Sequence, residues 1–171
     1  MNIGRLFNFF RDDAYRSKRE FLMRLPIFHG LRQKDFVHLV QALDDRTYLK
    51  GETLFNEGDV GRALFIVDSG DVQLLRKDDS GKDNPLAEVR PGEIFGEMAL
   101  LEEMPRTAGA QALEKTKVYL LYKNKLERLI YEHPRIGVVI VHYLARTLSS
   151  RLRALMESRH AAAEQVSQPE P

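Results

Sequence analysis

Apolar residues recur along this chain with two different periods. Over residues 2–42 the spacing is helical: Ile3, Leu6, Phe7 and Phe10 stand at i, i+3, i+4 and i+7, and Phe36, Leu39, Val40 and Leu43 repeat the pattern beyond a break at Pro26. Two or three short helices are expected there. Between residues 46 and 122 the pattern shortens to stretches such as Ala63-Leu64-Phe65-Ile66-Val67 and Val72-Gln73-Leu74-Leu75, punctuated by Gly51, Gly58, Gly70, Gly81, Gly92 and Gly96. Strands of that length joined by glycine turns make an antiparallel roll, sandwich or barrel. Asp68-Ser69-Gly70 reads as a tight turn, and residues 77–84 as a longer polar hairpin loop. After Lys123 the helical period returns, with Pro134 suited to the first position of a helix that reaches about Ala163. Such a helix is roughly 45 Å long, more than a domain of this size buries along its whole length. Its far end therefore needs a partner or water.

Composition narrows the class. The chain has 171 residues, 43% hydrophobic and 30% charged, which suits one globular domain. Its 26 basic and 25 acidic residues leave a net charge of +1, so no global field argues for nucleic acid. Cysteine is absent, which excludes disulfides, thiol catalysis and thiolate metal sites and points to a reducing compartment. The first ten residues lack a leader pattern and no window approaches a bilayer span, so a soluble, cytoplasmic protein is expected. Residues 1–24 read as an N-terminal amphipathic helical segment, 25–160 as the main domain and 161–171 as a disordered tail.

An antiparallel roll raises metal-dependent cupin chemistry, in which histidines point inward from strands. The five histidines, His29, His38, His133, His142 and His160, all fall in the predicted helical zones instead, and no metal site is expected. No serine sits in a G-x-S-x-G elbow, and the adjacent carboxylates Glu102-Glu103 and Asp78-Asp79 read as solvated loop charges. No catalytic residue emerges, and the chain reads as a non-enzyme.

The informative segment covers residues 91–108. Gly96 opens a turn after a strand, and Met98-Ala99-Leu100-Leu101 supplies about one helical turn of good helix formers. Amides at the start of such a turn attract an anion, and Arg106, about ten residues on, can add a charge-assisted contact. Glu97 and Arg106 together suit a ribose phosphate. The alternative is that they pair only with each other or with surface charges.

The segment closely resembles the phosphate-binding cassette of the cyclic nucleotide-binding domain family: Phe95-Gly96-Glu97, the short apolar helix, then Pro105-Arg106-Thr107-Ala108. The resemblance runs from about residue 25 to 153 and takes in Lys50-Gly51-Glu52, Glu57-Gly58-Asp59 and Ser69-Gly70-Asp71. It implies an α+β fold, an eight-stranded antiparallel β-roll with N-terminal helices, an internal cassette helix and a long C-terminal helix. It further implies that Glu97 binds the ribose 2′-hydroxyl and Arg106 the cyclic phosphate. The backbone of Gly96, Met98, Ala99, Thr107 and Ala108 would complete the cradle. Leu74 and Leu86 are similar to strand residues that sandwich the purine, or they are ordinary roll core. Thr107 discriminates poorly between bases. On alignment with bacterial activators, Arg151 and Leu152 replace the hydroxyl residues that meet adenine, and Arg151 either contacts the base or faces solvent. The resemblance favours cyclic AMP over cyclic GMP, with no cofactor beyond that ligand.

Too little chain follows residue 161 in this sequence for a helix-turn-helix reader, so a stand-alone sensor that regulates a separate protein is expected. A ligand-independent interaction scaffold that retains the fold is the alternative. Val141, Ala145, Leu148, Leu152 and Leu155, spaced four, three, four and three, make a coiled-coil seam for a homodimer, or the helix folds back as a lid. Arg146, Arg151, Arg153 and Arg159 are expected to form a solvated face. Ile3, Leu6, Phe7 and Phe10, flanked by Arg5, Arg11 and Arg16, suit packing on the roll or, less readily, a membrane surface. Ligand-driven motion is expected at a hinge over residues 126–131.

Overall fold

The computed structural model describes residues 3–102 and 104–166, with side chains described from 13 to 159 apart from Ala99. Helix α1 spans Ile3–Met23, a 3-10 turn follows at Pro26–Phe28, and α2 spans Asp35–Ala42. The first helix is longer than the apolar spacing alone predicts. Residues 11–20 are polar but contain no glycine or proline, and the i,i+4 pair Arg16–Glu20 at 3.2 Å supports the helix through them. Leu25, at φ −80° and ψ 132°, is already extended ahead of Pro26, as a residue preceding proline must be. The side chains of Ile3, Leu6, Phe7 and Phe10, on which the amphipathic reading rests, lie outside the described residues.

Eight strands follow: β1 Asp44–Tyr48, β2 Thr53–Phe55, β3 Ala63–Ser69, β4 Val72–Lys77, β5 Asp83–Val89, β6 Ile94–Phe95, β7 Gly109–Ala112 and β8 Thr116–Tyr122. They form two antiparallel four-stranded sheets, ordered β1-β8-β3-β6 and β2-β7-β4-β5. The apolar run of β3 needs both faces of its sheet covered. Ala63, Phe65 and Val67 point into the roll with Val72, Val118 and Leu120, while Leu64 and Ile66 point outward with Tyr119 and Leu121. That outer face is covered by Leu22 of α1, Ile27 and Phe28 of the 3-10 turn, and Leu39 of α2. A buried cation fastens α1 there. Lys18, 7% exposed, donates to Leu43 O at 2.6 Å, ion-pairs with Asp45 and lies 4.8 Å from the Tyr119 ring centre.

The chain then runs through α3 (Met98–Leu101), α4 (Lys123–Glu132) and α5 (Pro134–Val166). Residues 126–131, the expected hinge, lie inside α4, with Leu126 and Leu129 buried in the outer core. The break between helices comes at His133, whose φ of −135° and ψ of 65° leave helical space. The two helices meet closely at Gly137, where a Cβ would come within 2.7 Å of Ile130 Cα. Pro134 opens α5 as its sequence position predicts, and the helix ends three residues later than expected. Ile136, Ile140 and Leu144 bury the proximal half in the outer core. Residues 149–159 are exposed throughout, including Leu152 at 60% and Leu155 at 63%. Of the expected tail, residues 161–166 continue the helix and 167–171 lie outside the described residues. No helix among the described residues is long and apolar enough to cross a membrane.

Candidate functional site

A cavity of about 360 Å3 opens where the turn from β6 to α3, the start of β7, and the β4–β5 edge converge, with α5 passing across it. Among the sequence-predicted site residues, Gly96, Glu97, Met98, Arg106, Thr107 and Ala108 line it from the cassette. Leu74, Leu86 and Arg151 line it from outside the cassette. The backbone of Ala99 lies in α3, and its side chain is outside the described residues.

Gly96 determines how the cassette is built. Its φ of +70° is a conformation that side-chain-bearing residues rarely adopt, and a Cβ there would overlap the Arg106 guanidinium. The turn brings Glu97 to the start of α3, where Leu100 N–H donates to Glu97 O at 3.0 Å and Glu102 N–H donates to Met98 O at 3.0 Å. The amides at the head of so short a helix have no carbonyl within the helix to bond.

Arg106 is fixed by neutral groups. Nη1 donates to Gly96 O at 3.0 Å and Nη2 to Ala63 O at 2.8 Å, while the guanidinium carbon sits 4.2 Å from the Phe55 ring centre and 5.5 Å from that of Phe65. Its own backbone is clamped by the 58–59 turn: Arg106 N–H donates to Asp59 O, and Gly58 N–H donates to Arg106 O, both at 2.8 Å. Burial pulls its pKa down from the ordinary guanidinium value, against the opposing influence of the Glu97 and Asp59 carboxylates. No carboxylate among the described residues forms an ion pair with it. It is a partly desolvated cation with donors to spare, and an anion entering the cavity finds a positive group there that no described carboxylate ion-pairs.

Glu97 is 4% exposed, yet Arg106 is not its partner. Glu97 Oε1 accepts from Nη1 of Arg151, on the otherwise exposed distal half of α5. Arg151 was expected either on a base or in solvent, and the structure gives it a third position, on the carboxylate. Sequence reasoning cannot find this pair, because 54 residues separate its members. Phe55 was also missed: nothing in the sequence singles it out, and only the folded roll lays it beneath Arg106.

The opposite wall owes its shape to a β-bulge. Leu74 pairs with Ala87 and Leu75 with Pro85, so Leu86 is the unpaired extra residue of β5. Regular alternation would put Leu86 on the face opposite Ala87, the partner of Leu74; at the bulge Leu74, Leu86 and Ala87 all line one cavity. Leu74 also packs against the inner core, whereas Leu86 is 57% exposed at the rim. Met98 and Met104, also exposed, continue the apolar rim.

The cavity therefore joins an apolar wall, a half-buried guanidinium and a buried carboxylate. A model of the cyclic nucleotide-binding domain matches residues 45–133, more than half of the chain. The chain belongs to the cyclic nucleotide-binding domain family. It is 39% identical to the cyclic AMP receptor protein of Thermus thermophilus over 75% of this chain and 57% of that protein. It is 30% identical to a cAMP-dependent protein kinase regulatory subunit of Blastocladiella emersonii over 70% of this chain and 30% of that one. A crystal structure of a cyclic nucleotide-binding domain from Methylobacillus flagellatus shares the fold at a TM-score of 0.72 and 23% identity, over 93% of this chain and 87% of the other. The cyclic nucleotide-binding domain accordingly has the expected α+β roll with its C-terminal helix. It spans a little over half the length of the receptor protein it matches.

Proposed function

We propose that this cyclic nucleotide-binding domain is a non-catalytic sensor of a cyclic mononucleotide, cyclic AMP in preference to cyclic GMP, which changes conformation on binding and so regulates a separate protein. The observation that carries the reading is the presence, in one cavity, of a half-buried Arg106 that ion-pairs with no described carboxylate and a buried Glu97. In this reading Arg106 receives the cyclic phosphate, Glu97 accepts from the ribose 2′-hydroxyl, and the backbone of Gly96, Met98, Ala99, Thr107 and Ala108 completes the cradle. Leu74 and Leu86 take the purine between them. The similarity to a cyclic AMP receptor protein and to a cAMP-dependent kinase regulatory subunit supports the choice of cyclic AMP.

Isothermal titration calorimetry with cyclic AMP and cyclic GMP tests this directly: saturable binding of one equivalent per chain is expected, tighter for cyclic AMP. No heat with either nucleotide would leave the second reading, a scaffold that keeps the fold without ligand. One observation favours that second reading, since Arg151 pairs with the Glu97 carboxylate.

The distal half of α5 suits a homodimer through the partly buried Leu148 and the exposed Leu152 and Leu155, because exposed apolar residues on a helix of heptad spacing are costly to leave in water. Light scattering should report a dimer, and Leu148→Glu with Leu152→Glu a monomer. A parent chain that is monomeric with and without nucleotide would end the idea.

A further inference from the structure

A second cavity, of about 480 Å3, lies between the 3-10 turn and the middle of α5, and it shares no lining residue with the first. Pro26, Ile27 and Val139 give it an apolar part. The rest of its lining is polar: His29, His142, Tyr143, Arg146, Thr147 and Ser150. Among the described residues, none of these six side chains has a hydrogen-bond or ion-pair partner, and no carboxylate lines the cavity. The two walls are held together by other groups. Ile27 and Phe28 are buried in the outer core with Ile136 and Ile140, and Arg135 Nη2 donates to Gly30 O at 3.0 Å, which ties the residue after His29 to the first turn of α5. Along α5 the lining positions recur at three- and four-residue spacings from Val139 to Ser150. That stripe lies on the side of the helix opposite Val141, Ala145 and Leu148, so a dimer seam there would use a different face.

We propose that this cavity is a second ligand site, one for a phosphate monoester. The proposal goes beyond the nucleotide reading and does not depend on it. Every polar side chain in the lining can donate. Arg146 carries a permanent charge and donors only, each imidazole has at least one N–H, and the remaining three have hydroxyls. A tetrahedral oxyanion accepts from several directions at once, which suits donors that come from both the turn and the helix, and a guanidinium binds phosphate through paired N–H groups. A cationic ligand would find no counter-charge in the lining, and a neutral one would leave Arg146 unused. The apolar part gives the organic body of an ester a place, in a volume of the size that holds small-molecule ligands. An occupant that meets His29 and Arg146 together joins the 3-10 turn to α5.

Amide NMR on the full chain, titrated with phenyl phosphate, inorganic phosphate and phenol, tests the proposal. Phenyl phosphate should shift the amides of His29, Gly30, His142, Arg146 and Thr147 saturably. Inorganic phosphate should shift the same amides with about tenfold weaker affinity, having no apolar body to bury, and phenol should bind weaker still. Arg146→Gln should weaken phenyl phosphate by about tenfold or more, and Arg146→Lys by less, because an ammonium keeps the charge without the paired donors. His142→Gln should weaken it about threefold. His142 and Arg146 are exposed, so circular dichroism should be unchanged in these variants. Arg106→Ala should remove any shift the probes cause over residues 96–108 and leave those at His29 and Arg146. Shifts confined to residues 96–108 would assign phosphate binding to the first cavity alone and overturn the proposal. Equal affinity of parent and Arg146→Gln for phenyl phosphate overturns it, as does the lack of a saturable shift at His29 and Arg146. Phenol binding as tightly as phenyl phosphate overturns it too, since the cavity would then be an apolar pocket with no use for the charge.

Discussion

Arg106 and Glu97 face one cavity but are held by different parts of the molecule. Arg106 is set by the roll alone: two main-chain carbonyls, a phenylalanine face and a backbone clamp from the 58–59 turn. Glu97 is set from outside, by a side chain on a helix whose distal turns touch little else. One end of the cavity is therefore preorganised, and the other depends on where α5 lies. An anion can be received at the first end whatever the helix does. A displacement of α5 removes the partner of Glu97 at the second end and leaves the first unchanged, within one space of about 360 Å3.

The comparison breaks most visibly if the preorganised end is removed. Arg106→Ala should cost about 3 kcal/mol of nucleotide affinity, more than a hundredfold, since a bound phosphate loses a bidentate charge-assisted partner. Calorimetry on a variant of unchanged circular dichroism measures it, and unaltered affinity would remove Arg106 from the site.

A second helix anchor sharpens the contrast, because α1 is held by the buried Lys18 against Tyr119 as α5 is held by the exposed Arg151. Burial pushes the Tyr119 phenol up to about 12, partly offset by the hydrogen bond it accepts from Lys117 at 3.0 Å. A phenol whose folded pKa lies above its unfolded value near 10 stabilises the fold fully below pH 10 and loses that contribution as pH rises through 12. Thermal unfolding should show a loss of about 2 kcal/mol across this window, shallower in Tyr119→Phe. An identical alkaline slope in parent and variant would dissociate Tyr119 from the effect.

Gly96→Ala tests whether the roll's geometry itself seats Arg106. A side chain at φ +70° that also overlaps the guanidinium should cost about 1–2 kcal/mol of stability and weaken nucleotide binding with it. Denaturant midpoints and calorimetry on the same variant check both, and a stability change without an affinity change would uncouple the turn from Arg106. The smallest effect belongs to the rim. Leu86→Ala should change stability by less than about 0.5 kcal/mol, because the residue is unpaired and 57% exposed, and reduce affinity about threefold. A stability loss as large as a core truncation would make Leu86 a packing residue.

The fold was legible wherever one period served one surface. The run Ala63 to Val67 announced a strand, and the helical period after Lys123 a long helix opened by Pro134, both of which the structure has. The cassette was legible because its turn, helix and arginine are close in sequence, so local geometry brings them together. What escaped were contacts between residues distant in sequence that local patterns do not encode. Arg151 reads as one of several arginines on a polar face, and nothing in its neighbours distinguishes it from Arg153. The bulge at Leu86 is a register property of two strands, invisible in either alone.

The tight seat of Gly137 against Ile130 gives α4 and α5 the mechanics of a lever. With no side chain on Gly137 to space them and Ile130 seated directly against its backbone, the helices have little room to slide, so a tilt begun in α4 is passed on to α5 with little slack. A helix of 33 residues is roughly 50 Å long, and a tilt of about 5° at its base sweeps its tip through some 4 Å. A displacement too small to be noticed at the cassette thus becomes, at the far end, a step of about one side chain's width.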